Sequence, residues 1–246
     1  MRRSHRVGRL DDAVRNNAHW CDIVCRAHGL TPVFSDHAWA SAHRTPELYP
    51  DAVTLRPGVS AHTLVDLIDT ETPGGSIKDS FCDLELHHTG FSILLEAQWI
   101  VREPAAGPLA EPGDVRWVRV RDAASFMSWE AAWVASGGRP DVLVAALWKD
   151  PAVAVLAALI GENVVGGVVA TTTGTTVGLS NFFSRSDDAG VWLSCVAALS
   201  VRVPGAAIVG YESGEALERA CRSGFSPLGP LRVWIAVPVE GATRDP

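Results

Sequence analysis

No histidine follows His88; all eight stand at or before it, and the carboxy-terminal half of the chain has none. That absence removes Ser/His/Asp hydrolysis from the second half and leaves a carboxylate, a tyrosine, a cysteine or a water to carry protons there. Basic residues are outnumbered, 21 Lys+Arg against 28 Asp+Glu, for a formal net charge of −7. A duplex-binding domain carries a clustered basic face, so nucleic acid is not an expected partner. The one dense basic run, Arg2, Arg3, His5 and Arg6, reads as a solvated tail. Long apolar runs are also missing. Asp11, Asp12, Arg15, Asn16 and Asn17 interrupt whatever follows the basic start, and Gly161, Glu162 and Asn163 break the most apolar stretch, Val153 to Val169. The expectation is a cytoplasmic protein without a signal peptide or a membrane partner. Five cysteines, an odd number scattered at Cys21, Cys25, Cys82, Cys195 and Cys221, make no disulfide framework. Cys21 and Cys25 share a helix face and read as buried thiols rather than the start of a metal site; no metal is expected. Neither Gly-x-Gly-x-x-Gly nor P-loop spacing occurs, which argues against a nucleotide-binding α/β protein.

What is present is apolar: 47% of the 246 residues are hydrophobic and 20% charged, enough to core one large domain or two modest ones. Helical spacing predicts helices over Asp11 to His28, Ser60 to Ile68 and Lys78 to His87, with short strands such as Ala52 to Leu55 and a buried strand over Phe91 to Val101. Glu103 to Gly113 holds three prolines and two glycines in eleven residues and reads as a linker. Beyond it the order is cleaner. Strands are expected over Val115 to Val120, Val153 to Ile160, Val164 to Thr172, Thr176 to Phe183, Ala206 to Val209 and Leu231 to Val237. Helices are expected over Ala123 to Ala135, Val191 to Leu199 and Gly214 to Arg222. The fold class is α/β, a mixed and mostly antiparallel sheet flanked by helices.

Gly224-Phe225 after a helix, followed by a turn and a strand, resembles the closing unit of the GNAT superfamily of acyl-CoA N-acyltransferases. That family's closing helix typically reads Asn-x-x-Ala-x-x-x-Tyr-x-x-x-Gly-Phe; in the same register this chain has Ser213, Ala216, Ala220 and Gly224-Phe225. The alanine and the Gly-Phe match, while Ser213 replaces the asparagine and Ala220 the tyrosine. The family's pyrophosphate loop, Arg/Gln-x-x-Gly-x-Gly/Ala at a helix start, is similar to Arg185-Ser186-Asp187-Asp188-Ala189-Gly190, with Asp188 in place of the first glycine. Gly90-Phe91-Ser92 beside Gly224-Phe225-Ser226, each after an expected helix, suggests a duplication. The resulting division is a degenerate GNAT-like half over 1–102, a linker over 103–113 and a GNAT-like acyltransferase domain over 114–246.

The resemblance implies acetyl-CoA or another acyl-CoA as co-substrate and a small-molecule or peptide amine as acceptor, with no statement about oligomeric state. By position, Leu179, Ser180, Asn181 and Phe182 would line the gap between the fourth and fifth strands. Arg185, Ala189, Gly190 and Val191 would hold the pyrophosphate. The fifth strand would bring Tyr211 to protonate the departing thiolate and Glu212 to take the amine proton. Each has a plainer reading, an edge residue for Tyr211 and a first-turn acid for Glu212. Trp117, Trp129, Trp133 and Trp148 are read as core or as a cover for an apolar acceptor. His87 and His88 are read as helix-end residues or cleft neighbours, and Cys221 as a small side chain buried against the sheet. Ala220, Asp188 and the degenerate first half keep open a second reading, a GNAT-like binding or regulatory protein without catalysis.

Overall fold

In the computed structural model, which describes residues 2–104, 114–185 and 189–237, a long helix α1 (Arg2–Ala27) opens the chain. It begins well before Asp11, so the basic run is the first part of a helix rather than a tail. Arg6 Nε donates to the Leu228 carbonyl at 3.1 Å, which ties that turn to the far end of the chain. Ala13, Val14, Ala18, Cys21, Val24 and Cys25 are buried along one stripe. Gly29, at φ +80°, ends the helix.

Short elements follow: β1 (Val33–Phe34), β2 (Ala38–Ala40), β3 (Ala52–Thr54), α2 (Ala61–Val65) and β4 (Ser76–Asp79). The helix expected over Lys78 to His87 is not formed. Instead the buried Asp79 carboxylate accepts from the backbone N–H groups of Phe81 and Asp83, both at 3.3 Å, and of Leu84 at 3.1 Å. Those donors are thereby held in a turn, with Cys82 at φ +54°, and Lys78 is drawn into strand register beside Val53. A single 3₁₀ turn, His87–Thr89, leads to β5 (Phe91–Arg102). Most of the expected linker, residues 105–113, lies outside the described residues. The order then agrees closely with the sequence pattern: β6 (Arg116–Arg119), α3 (Ala123–Val134), β7 (Val153–Ile160), β8 (Asn163–Thr173), β9 (Thr176–Ser184), α4 (Ala189–Arg202), β10 (Ala207–Glu212), α5 (Gly214–Arg222) and β11 (Ser226–Ala236). Asp122 and Ser125 close a reciprocal cap at the start of α3.

All strands join one mixed sheet in the order β1-β2-β3-β4-β11-β5-β10-β9-β8-β7-β6. Two neighbouring pairs are parallel, β3 with β4 and β9 with β10; the other pairs are antiparallel. The order is balanced about the β11–β5 pair. On each side lies a strand, then its parallel neighbour, then an antiparallel meander. α1 and α3 cover one face and α4 and α5 the other, as the alternation in β10 shows. Ala207 and Val209 pack among α1-side residues, and Ile208 packs with Trp192 and Cys195 of α4.

The depth at which α1 sits depends on Gly178. Asn16 of α1 donates to the Thr171 carbonyl at 2.9 Å and to Thr173 Oγ1 at 2.8 Å. A Cβ built on Gly178 would overlap Asn16 Oδ1. Gly178→Ala is expected to cost about 1–3 kcal/mol by overpacking and to lower the urea midpoint at unchanged slope. A midpoint equal to the parent's would mean that α1 is not seated against β9 as described.

Candidate active site

β9 and β10 pair over three positions only, Thr176 with Ala207, Val177 with Ile208 and Gly178 with Val209. Past them β10 stays with β5 as far as Glu212, while β9 stays with β8 as far as Ser184. A bulge drives the parting. The β8–β9 register steps from Val169↔Ser180 to Gly167↔Phe183, so Asn181 and Phe182 together oppose Val168. Asn181 takes φ +51°, a left-handed value that asparagine tolerates better than a branched residue.

The gap opens into a cavity of about 220 Å³. Leu179, Ser180, Asn181 and Phe182 form one wall, and Tyr211 and Glu212 form the other. Thus all six residues assigned to the strand gap from the sequence meet in one place. Further lining comes from elements far away in the chain, among it Asn17 and Trp20 of α1, Tyr49 from the loop between β2 and β3, and Lys78 of β4. Sequence reasoning missed these. The available signals were weak: Asn17 and Trp20 recur at helical spacing, and Lys78 follows Ile77 in a segment that becomes fully buried.

The chain has two tyrosines, and both face this cavity. The Tyr49 hydroxyl donates to Asn181 Oδ1 at 3.2 Å, so a distant loop braces the bulge, and burial pushes its phenol well above the ordinary value. Tyr211 packs edge-on against Trp99 at 5.5 Å. Lys78 Nζ lies 4.3 Å from the centroid of the Tyr211 ring and donates to Asn17 Oδ1 at 2.8 Å. Glu212, next along β10, is partly buried. Loss of water pushes its carboxyl up to about 7, against the opposing pull of Arg219. Glu212 also borders a second cavity of about 290 Å³, between β5, β11 and the start of α5. A carboxyl that titrates near neutrality at the meeting of two cavities can accept a proton from one side and release it to the other.

Of the other sequence-assigned positions, Arg185, Gly190 and Val191 do not line the cavity. Arg185 is exposed just past β9, its backbone N–H donating to the Val165 carbonyl at 2.8 Å. Ser186, Asp187 and Asp188 lie outside the described residues. Ala189, Gly190 and Val191 begin α4, where the Val191 carbonyl accepts from Ser194 Oγ at 3.0 Å. On this face Phe182 packs on Trp192 at 4.2 Å, and Trp192 meets Phe225 edge-on at 5.7 Å.

Trp129 and Trp133 are buried core residues, and Trp129 Nε1 donates to the Leu156 carbonyl at 2.9 Å. Trp117 Nε1 donates to Ser194 Oγ at 2.9 Å, and Trp148 packs on Phe126. None of the four lines the cavity. His87 packs edge-on against Trp234 and His88 is exposed, both away from it. Cys221 is exposed, contrary to expectation, because Ala220, one helical step away, takes the buried position on α5. Cys21 borders the cavity as a buried thiol pushed up to about 11 by burial, which makes it a poor nucleophile. Among the described residues no group of three or more His, Cys, Asp or Glu is placed to hold a metal. Nor is any helix among them long and apolar enough to cross a membrane.

No protein-family model and no curated protein matches the sequence. Similarity lies in three dimensions. A GCN5-related N-acetyltransferase from Kribbella flavida superposes with a TM-score of 0.63 at 15% identity, over 91% of this chain and 95% of that one. The chain has the GNAT fold. A putative GNAT-family acetyltransferase from Novosphingobium aromaticivorans has a TM-score of 0.54 at 12% identity, over 89% of this chain and 96% of that one. A functionally unknown conserved protein from Staphylococcus epidermidis has a TM-score of 0.60 at 11% identity, over 84% and 94%. The likeness therefore spans the GNAT fold on both sides of residues 103–113. Within that fold Ala220, where the closing helix of the superfamily often carries tyrosine, is fully buried. The phenols at the strand gap belong to Tyr49 and Tyr211 instead.

Proposed function

We propose that this protein is an acyl-CoA-dependent N-acyltransferase acting on a small amine. The observation that carries the proposal is the gap between β9 and β10, where a carboxyl titrating near 7 and a phenol face the out-of-ladder backbone of a bulge. The acyl-CoA supplies a thioester whose carbonyl carbon is the electrophile. The bulged segment Asn181–Phe182 supports binding of that carbonyl, since backbone N–H groups released from a ladder are suited to an oxyanion. The amine nitrogen bonds to the carbonyl carbon while its proton passes to Glu212. The C–S bond then breaks, and the departing thiolate takes a proton from Tyr211. Arg185 and the first turn of α4 would hold the pyrophosphate, because exposed N–H groups at a helix start favour anions.

Acetyl-CoA should bind the purified protein in a calorimetric titration and acylate a panel of primary amines. Arg185→Ala should weaken acetyl-CoA binding by about 1–3 kcal/mol, the range of a charge-assisted contact. No binding by the parent would end the acyltransferase reading, and parent-like binding by Arg185→Ala would end the role of that residue. Binding without turnover on any amine favours the alternative, a non-catalytic GNAT-like module, which draws on Ala220.

The proposal includes two GNAT-like halves, 1–102 and 114–246. The balanced strand order supports it: β5 sits between β10 and β11, and β11 sits between β4 and β5, so each half would complete the other's sheet. Gly90 and Gly224 both take positive φ, +81° and +90°, immediately before a phenylalanine.

A further inference from the structure

Among the described residues Lys78 is the one buried lysine or arginine, with 3% of its surface exposed. No carboxylate pairs with it among those residues. Burying an ammonium without a counter-charge is costly, and chains rarely keep one unless something compensates it. Here Asn17 Oδ1 satisfies one of its three N–H donors, and the face of Tyr211 supplies a weaker attraction. The side chain borders the 220 Å³ cavity, so an anion entering that space meets it directly. The other polar groups there, apart from Glu212, are neutral: amides, hydroxyls, an indole and a buried thiol.

We infer that Lys78 is an anion subsite that receives a carboxylate carried by the substrate. The inference rests on the acyltransferase reading for its second half: with Glu212 receiving the amine, the cavity suits an amino-carboxylate acceptor, such as a free amino acid. Lys78 and Tyr211 meet on the α1 face, while Glu212 follows Tyr211 on the strand and points the other way. The two groups therefore approach the cavity from different directions, and an acceptor that carries both an amine and a carboxylate can meet each. A volume near 220 Å³ lies below the roughly 300–1,000 Å³ of pockets for drug-sized ligands, which fits a molecule of amino-acid size. Trp20, Tyr49 and Tyr211 offer aromatic surface for its apolar part. A carboxylate in the acyl chain would meet the same ammonium, and the experiment separates the two sources.

Binding to the full chain is measured by calorimetry for matched pairs that differ by one carboxylate. The acceptor pairs are phenylalanine against phenethylamine and 4-aminobutyrate against propylamine; the acyl pair is succinyl-CoA against propionyl-CoA. The expected result is about 10- to 100-fold tighter binding of the carboxylate member of at least one acceptor pair. Lys78→Met, which keeps the length and apolar stem, should reduce that preference to less than about threefold. Discrimination confined to the acyl pair keeps the subsite and overturns the amino-carboxylate acceptor. Equal binding within every pair overturns the subsite, as does a preference that survives Lys78→Met. Should Lys78→Met not fold, Lys78→Gln, which keeps an N–H donor, carries the same expectation of a lost preference, and a preference that survives it overturns the subsite. A carboxylate preference without any acetyl-CoA binding leaves Lys78 as an anion subsite while removing the acyltransferase reading, so the two failures are distinguishable.

Discussion

Glu212→Gln is expected to lower acyl transfer by about 10²–10³-fold in kcat/KM while making the protein more stable above pH 7. The two effects have one origin. Removal from water raises the Glu212 carboxyl from 4.5 to about 7, so the folded state binds a proton more tightly than the unfolded chain across that interval. The carboxyl therefore costs nothing below pH 4.5, costs progressively more as pH rises, and opposes folding in full above pH 7. Glutamine has no such titration. The variant should match the parent near pH 4 and exceed it by about 1–2 kcal/mol at pH 8, a gain that residual water at the carboxylate keeps below the full shift. Activity runs the other way. A base works only when deprotonated, so the parent's kcat/KM should climb through pH 7 and level off, and Glu212→Gln should lack that limb. Urea unfolding at pH 4 and pH 8, with a pH–rate profile of both proteins, checks the pair of effects. Equal stability at both pH values would mean that the carboxyl is not held out of water. Parent-like transfer would move the base elsewhere.

The carboxy-terminal half was legible because its signals are local. Val153 to Phe183 is three apolar runs separated by tight turns, Gly214 to Arg222 is helical with its one deeply buried side chain at Ala220, and the Gly224-Phe225 step marks where that helix ends. The resemblance to the GNAT superfamily, laid on the order of these elements, implied that Leu179 to Phe182 face Tyr211 and Glu212, and both segments line one cavity. The bulge itself was not legible, since left-handed backbone at Asn181 depends on Tyr49, which lies 132 positions away. The amino-terminal half was harder for a related reason. Ser76 to Asp79 is too short to show alternation, and what stops a helix over Lys78 to His87 is a buried carboxylate turning back on its own loop. The solvated-tail reading of Arg2 to Arg6 failed similarly, because Arg6 is tied to Leu228 by a contact that no local pattern announces. Lys78 and Trp20 come to line the cavity only because the sheet and α1 bring them to the gap.

Trp99→Ala is expected to cost about 3–5 kcal/mol, the largest single loss of stability among the changes considered. Trp99 is fully buried on β5, the strand that lies between β10 and β11. It stands opposite Tyr211 on one side and Gly229 on the other. Its indole N–H donates to the Ser80 carbonyl at 2.9 Å, so one side chain joins the loop after β4 to the sheet centre. Truncation empties an indole-sized volume beneath α1 and leaves that buried carbonyl unpaired, two penalties of the same sign. Trp99→Phe keeps most of the volume but not the donor, and should cost about 1–2 kcal/mol, close to the hydrogen bond alone. Because β5 is shared across the centre of the sheet, residues before and after the 103–113 segment should unfold in one transition. Its midpoint should fall in the order parent, Trp99→Phe, Trp99→Ala at a constant urea slope. The ring of Tyr211, which rests edge-on against Trp99, loses its support in the alanine variant alone. Under conditions where both variants remain folded, transfer should therefore fall further in Trp99→Ala than in Trp99→Phe. Two separate unfolding transitions in the parent would contradict the shared strand, and equal transfer in the two variants would contradict the support of Tyr211 by this ring.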